Sequence, residues 1–423
     1  MNDSSKPDTE LQWTPPPRPE WLAHVNSEGR GMDSANLVPL DADELIETAQ
    51  RISGFSDFGD DDWREPYRVL IDAINNEAEL NLFGRLMTRS DVLIWLQARL
   101  GIEAAYREHP EIDAETIDAP VFVTGLPRSG TSILFEILGQ DPQFGSVRNW
   151  EMMFPYPPPE TATYETDPRI ARAQHLVTQL ARVTPTYATM HEMGANIPNE
   201  CILAHSPTFR TEYFNALFQI PSYFAHLMQT DMVPVYAYYK RMLKMLQWRN
   251  PRQHWLLKAP SHLGNLPTIF KVFPDARVIF THRDPIKAFA SNTNLLGTFY
   301  WMRSDKAFDA SAFESLLSQS AVAQRLENVI DWVESGAIPR EQVYNWQYAD
   351  LIQRPIDAIK ELYAKNHLEF SAQAEANMRA YMAAKPQGKF GAHTYSLGEK
   401  EEIAKNRKLY QRYQGYYRVP DEA

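Results

Sequence analysis

Cysteine is nearly absent from this 423-residue chain, which carries only Cys201. A single cysteine excludes a disulfide within the chain and is typical of a reducing compartment. Basic residues are also in the minority, since 42 lysines and arginines stand against 54 aspartates and glutamates, for a net charge of −12. This deficit argues against general binding to nucleic acid or to an anionic membrane. An anionic ligand would therefore need a local basic site.

Long apolar runs are missing as well. No stretch approaches the roughly 20 apolar residues that a membrane span needs. Residues 1–6 are polar and no apolar run follows them, so we expect no signal peptide and a cytoplasmic location. The sequence leaves the oligomeric state open, with a homo-oligomer among the alternatives.

Three segments of the chain differ in composition and pattern. Residues 1–36 contain the proline run at 14–19, and we expect them to be poorly ordered. Residues 37–115 predict a helical appendage, which opens with a capping signal formed by Asp41 and Glu44. Residues 116–423 predict the main domain.

Strand signals alternate with helix signals in the main domain. The short apolar, β-branched run at 120–124 predicts a buried strand, and further strands are predicted at 255–258, 277–281 and 342–346. Helical patterns follow them at 131–138, 263–272, 286–296 and 356–363. This alternation predicts a parallel sheet with right-handed crossovers. The expected fold class is α/β, with a P-loop-like parallel sheet flanked by helices, the N-terminal appendage, and a helical insert over residues 150–250.

The loop after the first predicted strand reads Gly-Leu-Pro-Arg-Ser-Gly-Thr-Ser over residues 125–132. Its two glycines allow a tight turn, and N–H groups at the start of the following helix can bind an anion. A Walker A loop has a lysine directly after its second glycine, where this chain has Thr131. Pro127 also breaks the Gly-x-Ser-x-Gly pattern of hydrolases. The loop therefore predicts a phosphate site without γ-phosphate chemistry.

This stretch resembles the 5′-phosphosulfate loop of sulfotransferases that use 3′-phosphoadenosine 5′-phosphosulfate (PAPS). In that family a strand leads into a Pro-Lys/Arg-Ser-Gly-Thr-Ser/Thr loop and a helix. Residues 278–285, with Ser291 eight positions after Arg283, are similar to the family's 3′-phosphate segment. Residues 255–262 resemble its lysine- and histidine-bearing strand end. The chain is identified as a member of the broad bacterial sulfotransferase branch over about residues 121–400.

The resemblance implies that a sulfuryl group moves from PAPS to a hydroxyl of a small molecule and that PAP is the product. It implies a phosphosulfate site formed by Arg128, Ser129, Gly130, Thr131 and Ser132. For the rest of the nucleotide it implies Arg283 and Ser291 at the 3′-phosphate, Tyr348 at the adenine, and Gly388 and Lys389 in a covering loop.

In-line displacement at sulfur needs a base and a positive charge near the departing phosphate. The resemblance makes His262 the candidate base, with Lys258 and Arg128 stabilising charge. The family's small-molecule branch has its histidine two residues after the lysine, whereas the gap here is four. Three other candidate bases therefore stay open, namely His191, Glu192 and Glu200. The scattered histidines and one cysteine predict no metal site.

Aromatic residues crowd the insert between residues 209 and 239. Packing in a core is their plainer interpretation. The alternative is an acceptor pocket near the carboxyl ends of the strands, for an apolar alcohol, a phenol or a lipid-like molecule. Two other functions stay open: a kinase-like P-loop enzyme, and a nucleotide-binding module without sulfuryl transfer.

Overall fold

A five-stranded parallel sheet lies at the centre of the protein. The structure, a computed structural model, describes residues 15–185, 192–289, 292–309, 318–385 and 400–422. The strands are β1 Val121–Gly125, β2 Phe144–Gly145, β3 His254–Lys258, β4 Arg277–His282 and β5 Val343–Gln347. They lie in the order β2-β3-β1-β4-β5, and each neighbouring pair is parallel. The predicted α/β fold class is confirmed.

Apolar side chains of the strands alternate between two cores. Phe122 of the central strand faces one core, while its neighbours Val121 and Val123 face the other. This alternation is the period-2 geometry of a strand, and both faces are buried because helices cover them. The core on the side of Phe122 contains α12 Val233–Gln247, α13 Leu266–Val272 and α16 Gln319–Ser335. The opposite core contains α6 Thr131–Leu138, α18 Pro355–Lys365 and α19 Ala372–Ala384.

Helices form within the segment that we expected to be poorly ordered. The structure has α1 Glu20–Gly29 and α2 Ser34–Leu37. Leu22 is fully buried, and the Arg18 guanidinium lies 2.5 Å from Asp305. The composition of this segment did not predict its helices, because the residues that hold it lie far along the chain. Asp305 is the partner of Arg18, and Trp301 shares a buried cluster with Leu22. Residues 1–14 lie outside the described residues.

The N-terminal helices share one core with the insert. The capping role predicted for Asp41 is confirmed, because its carboxylate accepts from the N–H groups of Asp43 and Glu44. The N-terminal helices that contribute to this core are α3 Ala42–Ser53, α4 Arg64–Glu77 and α5 Leu82–Glu108. The Trp63 ring packs at a tilt, and the Tyr67 ring edge-on, against Phe209 of the insert. The domain boundary at residue 115 stays a prediction, since the core crosses it.

The insert is a chain of short helices that connects β2 to β3. It comprises α7 Asn149–Met153, α8 Pro168–Val183, α9 Cys201–Ala204, α10 Glu212–Leu217, α11 Pro221–Leu227 and α12. Most of its aromatic residues are buried, and Phe209, Phe214 and Tyr223 are fully so. They pack against one another and against the N-terminal helices. The core interpretation therefore explains them.

The remaining helices follow β4 and β5. They are α14 Pro285–Phe289, α15 Asn292–Arg303, α17 Tyr348–Gln353, α20 Lys400–Arg407 and α21 Gln411–Tyr417. The helix predicted at 263–272 begins instead as a 3₁₀ turn, Pro260–Asn265, before α13. Within the described ranges, no helix combines the length and apolar character that crossing a membrane requires.

Gly125, at the end of β1, sets how closely the loop approaches β4. Its φ is 154°, and a Cβ there would lie 2.2 Å from Thr281 Oγ1 and 2.9 Å from Ser129 Oγ. We expect Gly125→Ala to reduce the free energy of unfolding by roughly 1–3 kcal/mol, because a close-packed site must rearrange. Urea denaturation measures this change. Gly264→Ala is the control, since a Cβ there meets nothing within 4 Å. Equal stability of the two variants would contradict the expectation.

Candidate active site

The loop between β1 and α6 has an unusual backbone. Arg128 has a φ of 67° and Gly130 one of 91°, both in the left-handed region. At Gly130 this conformation suits glycine, and a Cβ there would also come within 2.8 Å of the Tyr348 ring. The turn delivers the chain to the first residues of α6, Thr131 and Ser132, whose N–H groups have no carbonyl partner within their own helix. These N–H groups and the helix dipole give the start of α6 a partial positive charge that favours an anion.

Ser129 has a role different from the expected one. Its N–H donates to the Leu126 carbonyl at 3.1 Å, and its hydroxyl donates to the same oxygen at 2.6 Å. The hydroxyl also lies 2.6 Å from Thr281 Oγ1 of β4. Both donors of Ser129 are therefore used within the protein. In this structure Ser129 fixes the loop to β4 and presents neither donor to a ligand.

Lys258 stands on one side of the loop. It is the last residue of β3, which is paired with β1. Its ammonium donates to Glu200 Oε1 at 2.8 Å and to Ser132 Oγ at 3.3 Å. Its side chain is only 3% exposed, and Glu200 supplies the opposite charge that offsets the cost of burying the ammonium there. The structure thus brings together Lys258 and Ser132, as the resemblance implies, and adds Glu200 beside them.

Arg283 stands on the other side, just after β4. Its guanidinium donates to the Arg128 carbonyl at 2.9 Å and lies 4.0 Å from the centre of the Tyr348 ring. It also forms an ion pair with Glu422 at 2.9 Å. Tyr348 therefore bridges Arg283 and Gly130. The side chain of Arg128 is exposed next to this cluster.

His262 lies apart from this cluster in a closed environment. It is fully buried in the 3₁₀ turn after β3, edge-on to Phe122. Its Nδ1 is 2.7 Å from the Tyr236 hydroxyl. Burial, with smaller contributions from His205 and Lys258, lowers the pKa of His262 well below its usual value. The ring is therefore neutral and inaccessible to solvent.

Several predicted residues cannot be placed. Ser291, Gly388, Lys389 and the alternative base His191 lie outside the described residues. The alternative base Glu192 forms an ion pair with Lys385 at 2.7 Å. Their roles stay predictions.

Two features of the site have no signal in the sequence. Glu422 reaches Arg283 from 139 residues away. The buried Asp284 accepts from Arg407 at 2.8 Å and from the N–H of Glu422 at 2.7 Å, which holds this C-terminal segment in place. No short motif could connect residues at such separations.

This arrangement can bind a polyanion in spite of the acidic composition of the chain. An anion at the start of α6 would meet Lys258 on the β3 side and Arg283 on the β4 side, with Arg128 in the loop itself. Among the residues that the structure describes, no group of three or more His, Cys, Asp or Glu side chains could hold a metal ion.

Comparison with known proteins identifies the family. The model of the sulfotransferase family matches residues 120–372. Sulfotransferase STF1 from Mycobacterium tuberculosis is 30% identical, with a TM-score of 0.73 over 88% of this chain and 98% of that one. Sulfotransferase STF9 from Mycobacterium avium is 28% identical, with a TM-score of 0.76 over 90% of this chain and 97% of that one. No curated protein matches the chain.

The matched region contains the loop at residues 125–132, which we call the phosphate loop. It also contains Lys258 and Arg283, and these three features carried the resemblance in the sequence. It spans more than half of the chain, and both structural neighbours align over almost their whole length. The predicted family is therefore confirmed. The chain belongs to the sulfotransferase family and is an enzyme that transfers a sulfuryl group.

Proposed function

We propose that the sulfuryl donor is PAPS, that the acceptor is a hydroxyl of a small molecule, and that PAP is released. One observation carries this proposal: cationic side chains from the strands on either side of β1 flank the loop at the start of α6. Lys258 ends β3, and Arg283 follows β4. A nucleotide with anionic groups at two positions matches this pair of charges. Because the chain as a whole carries a net negative charge, a cluster of cations at this one loop points to an anionic ligand.

The phosphosulfate would lie at the start of α6. Backbone N–H groups and the hydroxyls of Thr131 and Ser132 would donate to it, and Arg128 would add charge. Lys258 already contacts Ser132 and would lie beside the sulfuryl oxygens. Arg283 would bind the 3′-phosphate, and Tyr348, which it covers, would contact the adenine.

Glu200 is the base that we propose. In the reaction, the acceptor oxygen forms a bond to sulfur while the bond from sulfur to the phosphate oxygen breaks. The acceptor proton passes to the Glu200 carboxylate, and PAP leaves with its charge stabilised by Lys258 and Arg128. The support is geometric, because Glu200 lies 2.8 Å from Lys258, which contacts the start of α6.

His262 is less suited to this role in its observed environment. A base must reach the acceptor proton, and the His262 ring is enclosed between Phe122 and Tyr236. Its lowered pKa also makes it a weak proton acceptor near neutral pH. We assign it to the core beneath the site. The buried Cys201 thiol supports a reducing compartment, and we propose the cytoplasm.

Titration with PAP tests the nucleotide site. We expect Arg128→Gln and Arg283→Gln each to weaken PAP binding by about 10- to 100-fold, since each removes a charge-assisted contact. Isothermal titration calorimetry measures the affinity. Arg354→Gln is the control, because this exposed arginine pairs with Asp350 and Glu361 instead. Failure of the unaltered protein to bind PAP, or unchanged binding without both arginines, would refute the nucleotide assignment.

Separate substitutions of Glu200 and of His262 distinguish the roles of these two candidate bases. With labelled PAPS and a mixture of acceptors, we expect Glu200→Gln to lower kcat about 100-fold or more while PAP affinity changes little. Glu103→Gln is the matched control, since Glu103 is also a largely buried carboxylate in an ion pair, with Arg241 at 3.0 Å. We expect His262→Gln to lower the Tm and to keep kcat. The reverse pattern in folded variants would return the role of base to His262.

Glu422 competes with the nucleotide for Arg283. We expect Glu422→Gln to bind PAP about two- to fivefold more tightly, because a partly exposed ion pair no longer has to break. Asp331→Asn is the control. It removes a carboxylate that lies 2.6 Å from Arg412, another arginine ion pair that involves the C-terminal region. Weaker PAP binding by Glu422→Gln would mean that the carboxylate positions Arg283 for the phosphate.

A further inference from the structure

A groove of about 380 Å³ runs along the edge of the sheet at β2. Its walls are α6, β2 and the two segments 192–198 and 251–253. In the strand order, β2 lies at the end opposite to β4 and β5. Arg283 and Tyr348 follow those two strands, so the proposed nucleotide site occupies one half of the sheet edge. The groove lies on the opposite flank of the sheet, along β2, and its lining residues 251–253 directly precede β3, at the end of that strand away from Lys258.

One face of α6 connects the groove to the phosphate loop. Ser132, Phe135, Glu136 and Gly139 follow at i, i+3, i+4 and i+7, so they share a face of the helix. Ser132 accepts from Lys258, and the Phe135 ring centre lies 5.7 Å from the Lys258 ammonium. Phe135, Glu136 and Gly139 line the groove. Lys258 does not itself line the groove, but Phe135 does, and this ring brings one end of the groove near the lysine that we place at the sulfuryl group.

The opposite wall approaches the same point. Ile197 and Pro198 line the groove, and Glu200 follows two residues later. From Ser132 to Gly139 the helix rises about 10 Å. A molecule with one hydroxyl beside the Lys258–Glu200 pair and its body in the groove is therefore at least about this long.

Each charged side chain that lines the groove has an oppositely charged neighbour within 4 Å. Glu136 and Glu192 both contact the Lys385 ammonium, at 2.8 and 2.7 Å. Arg148 pairs with Glu165 at 2.8 Å, and Arg252 lies 3.5 Å from the buried Glu151. A charged ligand would have to break one of these ion pairs. An apolar ligand would displace water from these charged groups without replacing the hydrogen bonds that the water makes.

Neutral polar groups complete the groove. Gln140, Ser146 and Asn196 can donate and accept hydrogen bonds, and Phe144 and Tyr164 add aromatic surface. Neutral hydroxyl groups of a ligand can displace water from such a wall and form direct hydrogen bonds to it instead. We infer that this groove binds the acceptor, and that the acceptor is an elongated, uncharged polyhydroxyl compound such as an oligosaccharide or a glycoside.

This inference rests on the proposed function and replaces the apolar acceptor that the aromatic insert suggested. Phe209, Phe214 and Tyr223 are buried in a core and line no part of the groove. The groove is therefore the better guide to the acceptor, because its walls are polar and open.

Acceptor choice by the unaltered enzyme is the first test. The probes are maltotriose, 1-dodecanol, 4-nitrophenol and glucuronate, each with labelled PAPS. We expect transfer of label to maltotriose in preference to the other three. Transfer only to one of the other three, or to none of the four, overturns the assigned class. PAP titration of the same preparation separates the failures: loss of PAP binding refutes the proposed function, whereas intact binding without transfer to maltotriose refutes this inference alone.

Blocking the groove is the second test. We expect Ser146→Trp to raise the KM for maltotriose at least about tenfold, with kcat and PAP affinity nearly unchanged, because the indole fills the space without touching the phosphate loop. Asn196→Trp, from the opposite wall, gives an independent variant in case the first does not fold. Ser27→Trp on α1 is the control, since Ser27 is exposed and distant from the groove. An unchanged KM in folded Ser146→Trp and Asn196→Trp proteins overturns the groove assignment.

Discussion

The contact between Ser129 and Thr281 fixes the geometry on which the whole site depends. Their hydroxyls lie 2.6 Å apart, so the loop that leaves the central strand is held against the neighbouring strand β4. Gly125 allows this approach because it has no side chain to keep the two apart. Once the loop is fixed, the start of α6, the ammonium of Lys258 and the guanidinium of Arg283 have defined positions. A serine that a motif assigns to the ligand thus serves the loop itself.

Charge balance is the second constraint. Lys258 and Arg283 are partly or largely buried in a chain of net charge −12, and each is paired with a carboxylate, Glu200 or Glu422. A buried cation without a partner is costly, so these carboxylates stabilise the two cations where they lie. In the function that we propose, the same carboxylates give way when the anionic nucleotide binds. In the mechanism that we propose, one of them, Glu200, also takes the proton of the acceptor.

Local patterns in the sequence predicted the parts of the fold that local forces decide. The helix at 131–138 has its predicted bounds, and the predicted strands β1, β3 and β4 form from short apolar runs that are buried on both faces. The fourth predicted strand, β5, lies at the edge of the sheet and is fully buried only at Trp346. The two-residue strand β2 was missed, since so short a strand has no periodicity. Leu22 and Arg18 order a proline-containing segment through distant partners, which composition does not reveal. The proximity of Glu200 to Lys258, and of Glu422 to Arg283, likewise depends on tertiary packing.

The C-terminal segment is a structural part of the site. Asp284 is buried directly after Arg283 and is satisfied by Arg407 and by the backbone of Glu422. Tyr413 contacts His282 in the same region, 2.9 Å from its Nδ1. During synthesis these partners emerge more than 120 residues after β4. On the ribosome, the β4 side of the site therefore remains incomplete until translation has delivered α20 and α21.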